Sequence, residues 1–141
     1  MNKLEFSDGI DSPFFTIKKR EPGVIHIIVK DGGTLELKEI KESVALLDKI
    51  TNGNEFLALI DIRNAFMTIS PSALAYIGSD NGQLKYCKAE AIVVDSLAVS
   101  LIMNFYIKFV PKNKVSKTFK DVRSALAWLD SQKSLLETVS N

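Results

Sequence analysis

Two short stretches, Glu55 to Ile62 (EFLALIDI) and Ala89 to Val94 (AEAIVV), are apolar almost without a break. A strand with one wet face alternates apolar and polar side chains, because successive Cβ atoms point to opposite sides of the pleat. Near-continuous apolar runs of this length read instead as strands covered on both faces, as in a parallel sheet with helices packed above and below. Such a chain must also supply helices between these strands, with enough apolar surface to cover the sheet.

The intervening segments meet that demand. Phe14-Phe15-Thr16-Ile17 and Val24 to Val29 are short and rich in β-branched and aromatic residues, and Arg20-Glu21-Pro22-Gly23 between them reads as a hairpin turn. Asp31-Gly32-Gly33 ends the second strand. Thr34 is expected to cap a helix running to about Thr51, whose apolar positions Leu37, Ile40, Val44, Leu47 and Ile50 keep the helical period. Asn52-Gly53 supplies its left-handed stop.

Ser70 is expected to cap a short helix with Pro71 in its first turn, and Ser79 to Lys88 reads equally as helix end or turn. Ser96 caps a helix that Pro111 helps to end. Lys114 to Lys120 is a short strand, and Asp121 caps a last helix to about Gln132. The order β-β-α-β-α-β-α-β-α predicts an α/β fold with a single mixed sheet, an N-terminal antiparallel hairpin followed by parallel βα units. With 141 residues, no internal repeat and no long linker, residues 1–141 are expected to form one domain with its core over about 14–130.

The helix beginning at Ser96 differs from the others. Over residues 97–110 its polar members are Ser100, Asn104 and Lys108, each four positions from the last, which places them on one thin edge. Two broad apolar faces remain. A surface helix of a monomer normally buries one stripe and wets the rest, so this helix calls for a second packing partner.

Composition narrows the functional classes. The formal net charge of +1 gives no long-range field to recruit nucleic acid or an anionic membrane. Cys87 is the sole cysteine, which excludes an intrachain disulfide framework and a cysteine-based zinc site. The first 15 residues lack the apolar stretch of a secretory signal, and residues 97–110 are too short for a bilayer span of roughly 20 residues. The expected location is cytoplasmic.

Ligands in sheets of this kind sit beyond the carboxyl ends of parallel strands. Asp61 with Arg63, and Asp95 with Ser96, follow the two buried runs and form a candidate polar rim. Two carboxylates near two helix N-termini suit a cation, a shared proton or a polar ligand. Yet Asp at a strand end commonly closes a turn, and Asp-Ser before a helix commonly caps it. With no third ligand or nucleophile–base pair in view, no catalytic residue, metal or cofactor is assigned. His26, the only histidine, lies inside an early strand and reads as a structural or surface histidine, and Cys87 reads as buried filler or an incidental surface thiol. Neither G-x-G-x-x-G nor G-x-x-x-x-G-K-[ST] occurs. Lys112, Lys114, Lys117 and Lys120 read as a solvated edge strand. Ser70 and Ser72 at a helix start are candidate phosphoacceptors.

Leu57-Ala58-Leu59-Ile60-Asp61-Ile62-Arg63, a loop, and the helix start Ser70-Pro71-Ser72-Ala73 resemble the central strand–loop–helix of STAS domains. The remainder is more similar to the SpoIIAA-like, or STAS/SEC14-like, small bacterial proteins. That similarity lies in Ala89 to Ser96, in the helix carrying Asn104 and ending at Pro111, and in Phe119 followed by Ala125-Leu126-Ala127-Trp128-Leu129. The match of pattern and order spans roughly 14–130, and no single motif in it is highly specific. The STAS resemblance implies phosphorylation of a serine before the short helix, in an Asp-Ser-Ser-Gly-like stretch. Here no acid precedes the serines, Pro71 separates them and Ala73 replaces the glycine. The SEC14 comparison implies an apolar ligand between helices and sheet.

Together these readings predict a non-enzymatic binding or regulatory module acting through protein–protein association. The expected partners are a second copy in a homodimer or another protein. The candidate association surface comprises Phe66 and Met67 in a loop and Phe105, Tyr106 and Phe109 on the apolar helix. The alternatives are a small apolar-ligand (lipid-like) binding protein, with a pocket between the 71–78 and 96–110 helices, and a small enzyme using Asp61, Asp95 and Ser96.

Overall fold

The computed structural model describes residues 9–11, 14–30, 32–63, 68–77, 86–108 and 115–136. Its strands are β1 (Ile10–Asp11), β2 (Phe15–Glu21), β3 (Val24–Val29), β4 (Thr34–Leu35), β5 (Phe56–Asp61), β6 (Thr68–Ile69), β7 (Cys87–Val93) and β8 (Val115–Phe119). The helices are α1 (Leu37–Thr51), α2 (Pro71–Ile77), α3 (Leu97–Ile107) and α4 (Val122–Ser131), with a 3-10 turn at Lys133–Leu135.

Six strands form the main sheet in the order β1-β2-β3-β5-β7-β8, and β4 pairs with β6 in a separate small sheet. β1, β2 and β3 are antiparallel neighbours, whereas β3–β5, β5–β7 and β7–β8 are parallel. The hairpin between β2 and β3 turns at Pro22-Gly23, where Gly23 has φ +83°. Beyond the hairpin, sequence order and spatial order run together. Equal-handed crossovers then place all the connecting helices on one face.

Two clusters follow from that placement. Ile17, Ile25, Ile27, Ala58 and Ile92 on one face of the sheet meet Leu35, Ile40 and Leu47 around α1 and Ala73 of α2. Val99, Met103 and Ile107 of α3 pack against the same cluster. Val24, Leu57, Leu59, Ala89, Ala91 and Val93 on the opposite face meet Ala125 and Leu129 of α4, together with Leu136. The alanines Ala89, Ala91 and Ala125 are fully buried, and their small side chains let α4 lie close to β7. The turn after α4 is tied back to the hairpin: Lys133 Nζ donates to Glu21 Oε2 at 2.6 Å. A Cβ on Gly23 would stand only 2.9 Å from Leu136 Cδ1.

Local signals set most helix ends. Ser70 Oγ accepts from the Ala73 N–H at 3.2 Å, Ser96 Oγ from Val99 N–H at 3.2 Å, and Asp121 Oδ1 from Ser124 N–H at 2.7 Å. Asn52, at φ 55°, closes α1 as the left-handed stop. The start of α1 differs from expectation. Thr34 belongs to β4, where its hydroxyl lies 2.7 Å from that of Thr68, and the helix opens at Leu37 with Glu39 accepting the Glu36 N–H at 2.9 Å. A partner 34 residues away takes Thr34 from its local capping role. Lys117 stands exposed on the edge strand β8, while Lys112 and Lys114 lie outside the described residues.

Leu57 sits between two neighbouring strands with none of its surface exposed. Leu57→Ala is expected to lower unfolding stability by about 3 kcal/mol, because the packed sheet cannot close over the lost volume. Urea denaturation monitored at Trp128 measures it.

Candidate functional site

At the carboxyl ends of the parallel strands, Asp61 pairs with Val93, which brings the Asp61-Ile62-Arg63 and Asp95-Ser96 segments to one edge of the sheet. Asp61 is buried, and Arg63 folds back over it. Arg63 Nε and its backbone N–H both donate to Asp61 Oδ1 at 3.0 Å, and Nη2 donates to Oδ2 at 2.8 Å. This is a planar fork on a carboxylate, the strongest ordinary ion-pair geometry. Burial by itself would raise the Asp61 carboxyl, but the hydrogen bonds from Arg63 outweigh it and hold the group below its usual 3.8.

Arg63 also lies in the field of Asp95 and of Asp121, so the carboxylates that follow β7 and β8 add to the hold of Asp61 on its charge. Asp61 is committed to Arg63, Ser96 caps α3 and Asp121 caps α4. Such a rim can hold a fixed charge pattern. Among the described residues, no cluster of three or more His, Cys, Asp or Glu could hold a metal ion.

His26 shares the Leu59 face of the sheet, paired with Lys18 across the hairpin and with Leu59 across the parallel join. It is 7% exposed, and among the described residues neither ring nitrogen has a hydrogen-bond partner. Desolvation, reinforced by Arg20 and Lys18, lowers its pKa to about 4, with Asp61 opposing weakly. The ring is neutral at pH 7. Glu90 on β7 is a buried acid that no sequence pattern marked as a site; it accepts a hydrogen bond from Ser116 Oγ at 2.8 Å. Its signal was one acidic letter inside an otherwise apolar run.

Ser70 and Ser72 stand together at the start of α2, their hydroxyl oxygens 3.3 Å apart. Ser70 is half-buried and engaged as the cap, whereas Ser72 is exposed.

α3 carries the most unusual surface. Val99, Met103 and Ile107 face the core, and Asn104 Oδ1 accepts from the Thr118 hydroxyl of β8 at 3.4 Å. The polar stripe therefore runs beside the edge strand. The side turned to solvent is apolar: Leu97, Leu101, Ile102 and Phe105 are 77%, 62%, 51% and 54% exposed. Of the residues expected on an association surface, Phe105 lies on this exposed side. Phe66, Met67 and Phe109 lie outside the described residues, as does the side chain of Tyr106. Leu97, Leu101 and Ile102 were not singled out from the sequence, although 97-101-105 and 98-102 are helical neighbours at a spacing of four.

The environment of His26 has a measurable consequence. Its folded pKa of about 4 lies below the ordinary 6.5, so between these values the unfolded chain binds more protons. Stability is expected to fall as pH drops from 6.5 towards 4, with no contribution from this group above 6.5. His26→Leu removes that slope and leaves stability at pH 7 within about 1 kcal/mol of the parent, since no hydrogen bond is lost. Urea midpoints at pH 7, 6, 5 and 4.5 read both effects.

Comparison with known proteins follows the fold. A crystal structure of an uncharacterised DUF3478-family protein with a SpoIIAA-like fold, from Shewanella loihica PV-4, is similar at a TM-score of 0.58 and 23% sequence identity. The match covers 86% of this chain and 99% of that one. The fold is therefore SpoIIAA-like, with the antiparallel hairpin leading into parallel units. No curated protein matches the chain. Residues 18–133, from the first hairpin strand to the turn after α4, match the family described as Domain of unknown function (DUF7793), and the chain belongs to that family.

Proposed function

We propose that this chain is a non-enzymatic binding or regulatory module of the STAS/SpoIIAA-like type, acting through protein–protein association on the outer face of α3. One observation carries the reading: four large apolar side chains on that helix face solvent while Val99, Met103 and Ile107 already anchor it to the core. An apolar patch of several hundred Å2 on a small domain marks a contact surface. The commitment of Asp61 to an ion pair, and of Ser96 and Asp121 to helix caps, favours binding over catalysis by the rim. Ser72, exposed beside the cap of α2, is the phosphoacceptor in this proposal, since a phosphate there meets the positive end of the helix. A small apolar ligand laid on the same helix is the second reading, supported by the same exposed side chains, and native mass spectrometry would show it as a copurified adduct.

Leu101→Asp is the direct test. At a site this exposed the substitution is expected to lower folding stability by only about 1 kcal/mol, mostly through helix propensity, while abolishing whatever assembly the protein makes. A photo-crosslinking residue at Ile102, in cells expressing the protein, should capture a protein partner in the parent and lose it in Leu101→Asp. Identical crosslinks from both would overturn the proposal.

A further inference from the structure

The exposed face of α3 has a pattern that fits one occupant in particular. Asp95 lies just before the helix and Lys108 just after it, both exposed, and between them the outer face carries no charge. When two such helices lie antiparallel about a two-fold axis passing between Leu101 and Ile102, each residue meets the one as far from the axis on the other copy. Asp95 then stands opposite Lys108 of the second copy, twice over. Ala98, which is exposed, stands opposite Phe105, small against large, and Leu101 and Ile102 pack at the axis. Helix dipoles oppose favourably in this arrangement. A parallel pair would set Asp95 against Asp95 and Lys108 against Lys108, which is repulsive.

Area agrees with charge. At roughly 200 Å2 for a whole Leu, Ile or Phe residue, the observed exposures amount to on the order of 450 Å2 per copy. Two copies then bury on the order of 900 Å2 before flanking residues are counted, the size of a weak but specific dimer. A net charge of +1 opposes self-association very little.

We infer that the occupant of this face is a second copy of the chain, joined by an isologous, antiparallel α3–α3 contact with Asp95–Lys108 pairs at both ends. The inference rests on the association proposed above and adds the partner and its register.

A charge exchange tests it on the full-length protein by sedimentation equilibrium. Asp95→Lys alone and Lys108→Asp alone each place like charges together, and each should weaken the dimer about tenfold or more. Mixing the two variants restores opposite charges at both ends of the contact. At one end the two substituted side chains face each other with their signs exchanged, and at the other the native Asp95 faces the native Lys108. The mixed dimer should return to within about threefold of the parent affinity. Circular dichroism of each variant shows that it is folded. Independently, Ile102→Cys should form an intermolecular disulfide under mild oxidation, whereas an exposed cysteine on α1, Lys49→Cys, should not. A dimer that ignores the exchange, or fails to crosslink at 102, overturns the antiparallel register. A parent protein monomeric at 100 µM whose Ile102 crosslinks to a different protein overturns the second copy while leaving association on α3 standing. A monomer with no Leu101-dependent crosslink overturns both.

Discussion

The architecture depends on β5 and β7 being apolar on both faces. A strand of that kind is stable only with cover above and below, and the molecule divides the task unequally. The connections that carry the chain from β3 through β5 and β7 to β8 deliver α1, α2 and α3 to one side. The other side is left to the helix that follows β8, and α4 crosses back over β7 and β5, where fully buried alanines let it approach. The carboxyl rim is a by-product of the same order. Because β5 and β7 are neighbours in parallel, their polar exits emerge together, and Arg63 becomes the charge about which they are arranged.

The unequal division also explains α3. Three helices share one side of the sheet, and α3, lying toward the β8 edge, is held by Val99, Met103 and Ile107 on its inner side and by Asn104 against β8. Among the described residues, that packing leaves Leu97, Leu101 and Phe105 more than half exposed. A monomer-only helix would carry Lys and Glu there, as α1 does with Lys38, Lys41, Glu42 and Lys49. The contrast between two helices on the same face of one sheet is the physical basis for proposing association on α3.

Much of this was legible in the residues, and the parts that were not have identifiable causes. Caps at Ser70, Ser96 and Asp121 were readable because the side chain that accepts the hydrogen bond sits within three residues of the donor. Buried strands were readable because their apolar runs leave no alternation to dispute. β4 and β6 were not, since two residues have no period and their pairing depends on a contact across 34 positions. The inward side of α3 was not readable either: a helix apolar nearly all round has no preferred direction, and only the packed sheet chooses Val99, Met103 and Ile107. For the rim, Asp61-x-Arg63 was visible as charge, but the three donor contacts of its fork depend on the backbone turning just after β5.

The tie between the β2–β3 hairpin and the turn after α4 has a consequence for how the chain acquires its shape. Glu21 and Lys133 are 112 positions apart, and Leu136 completes the cover over Val24. On the ribosome the hairpin emerges before α4, so its α4-side surface stays unsealed until α4 and Leu136 have followed. Contacts so distant in sequence are costly to close before the sheet exists to align them. The seal between the final turn and the first one is therefore expected to form late, once the sheet aligns its two halves.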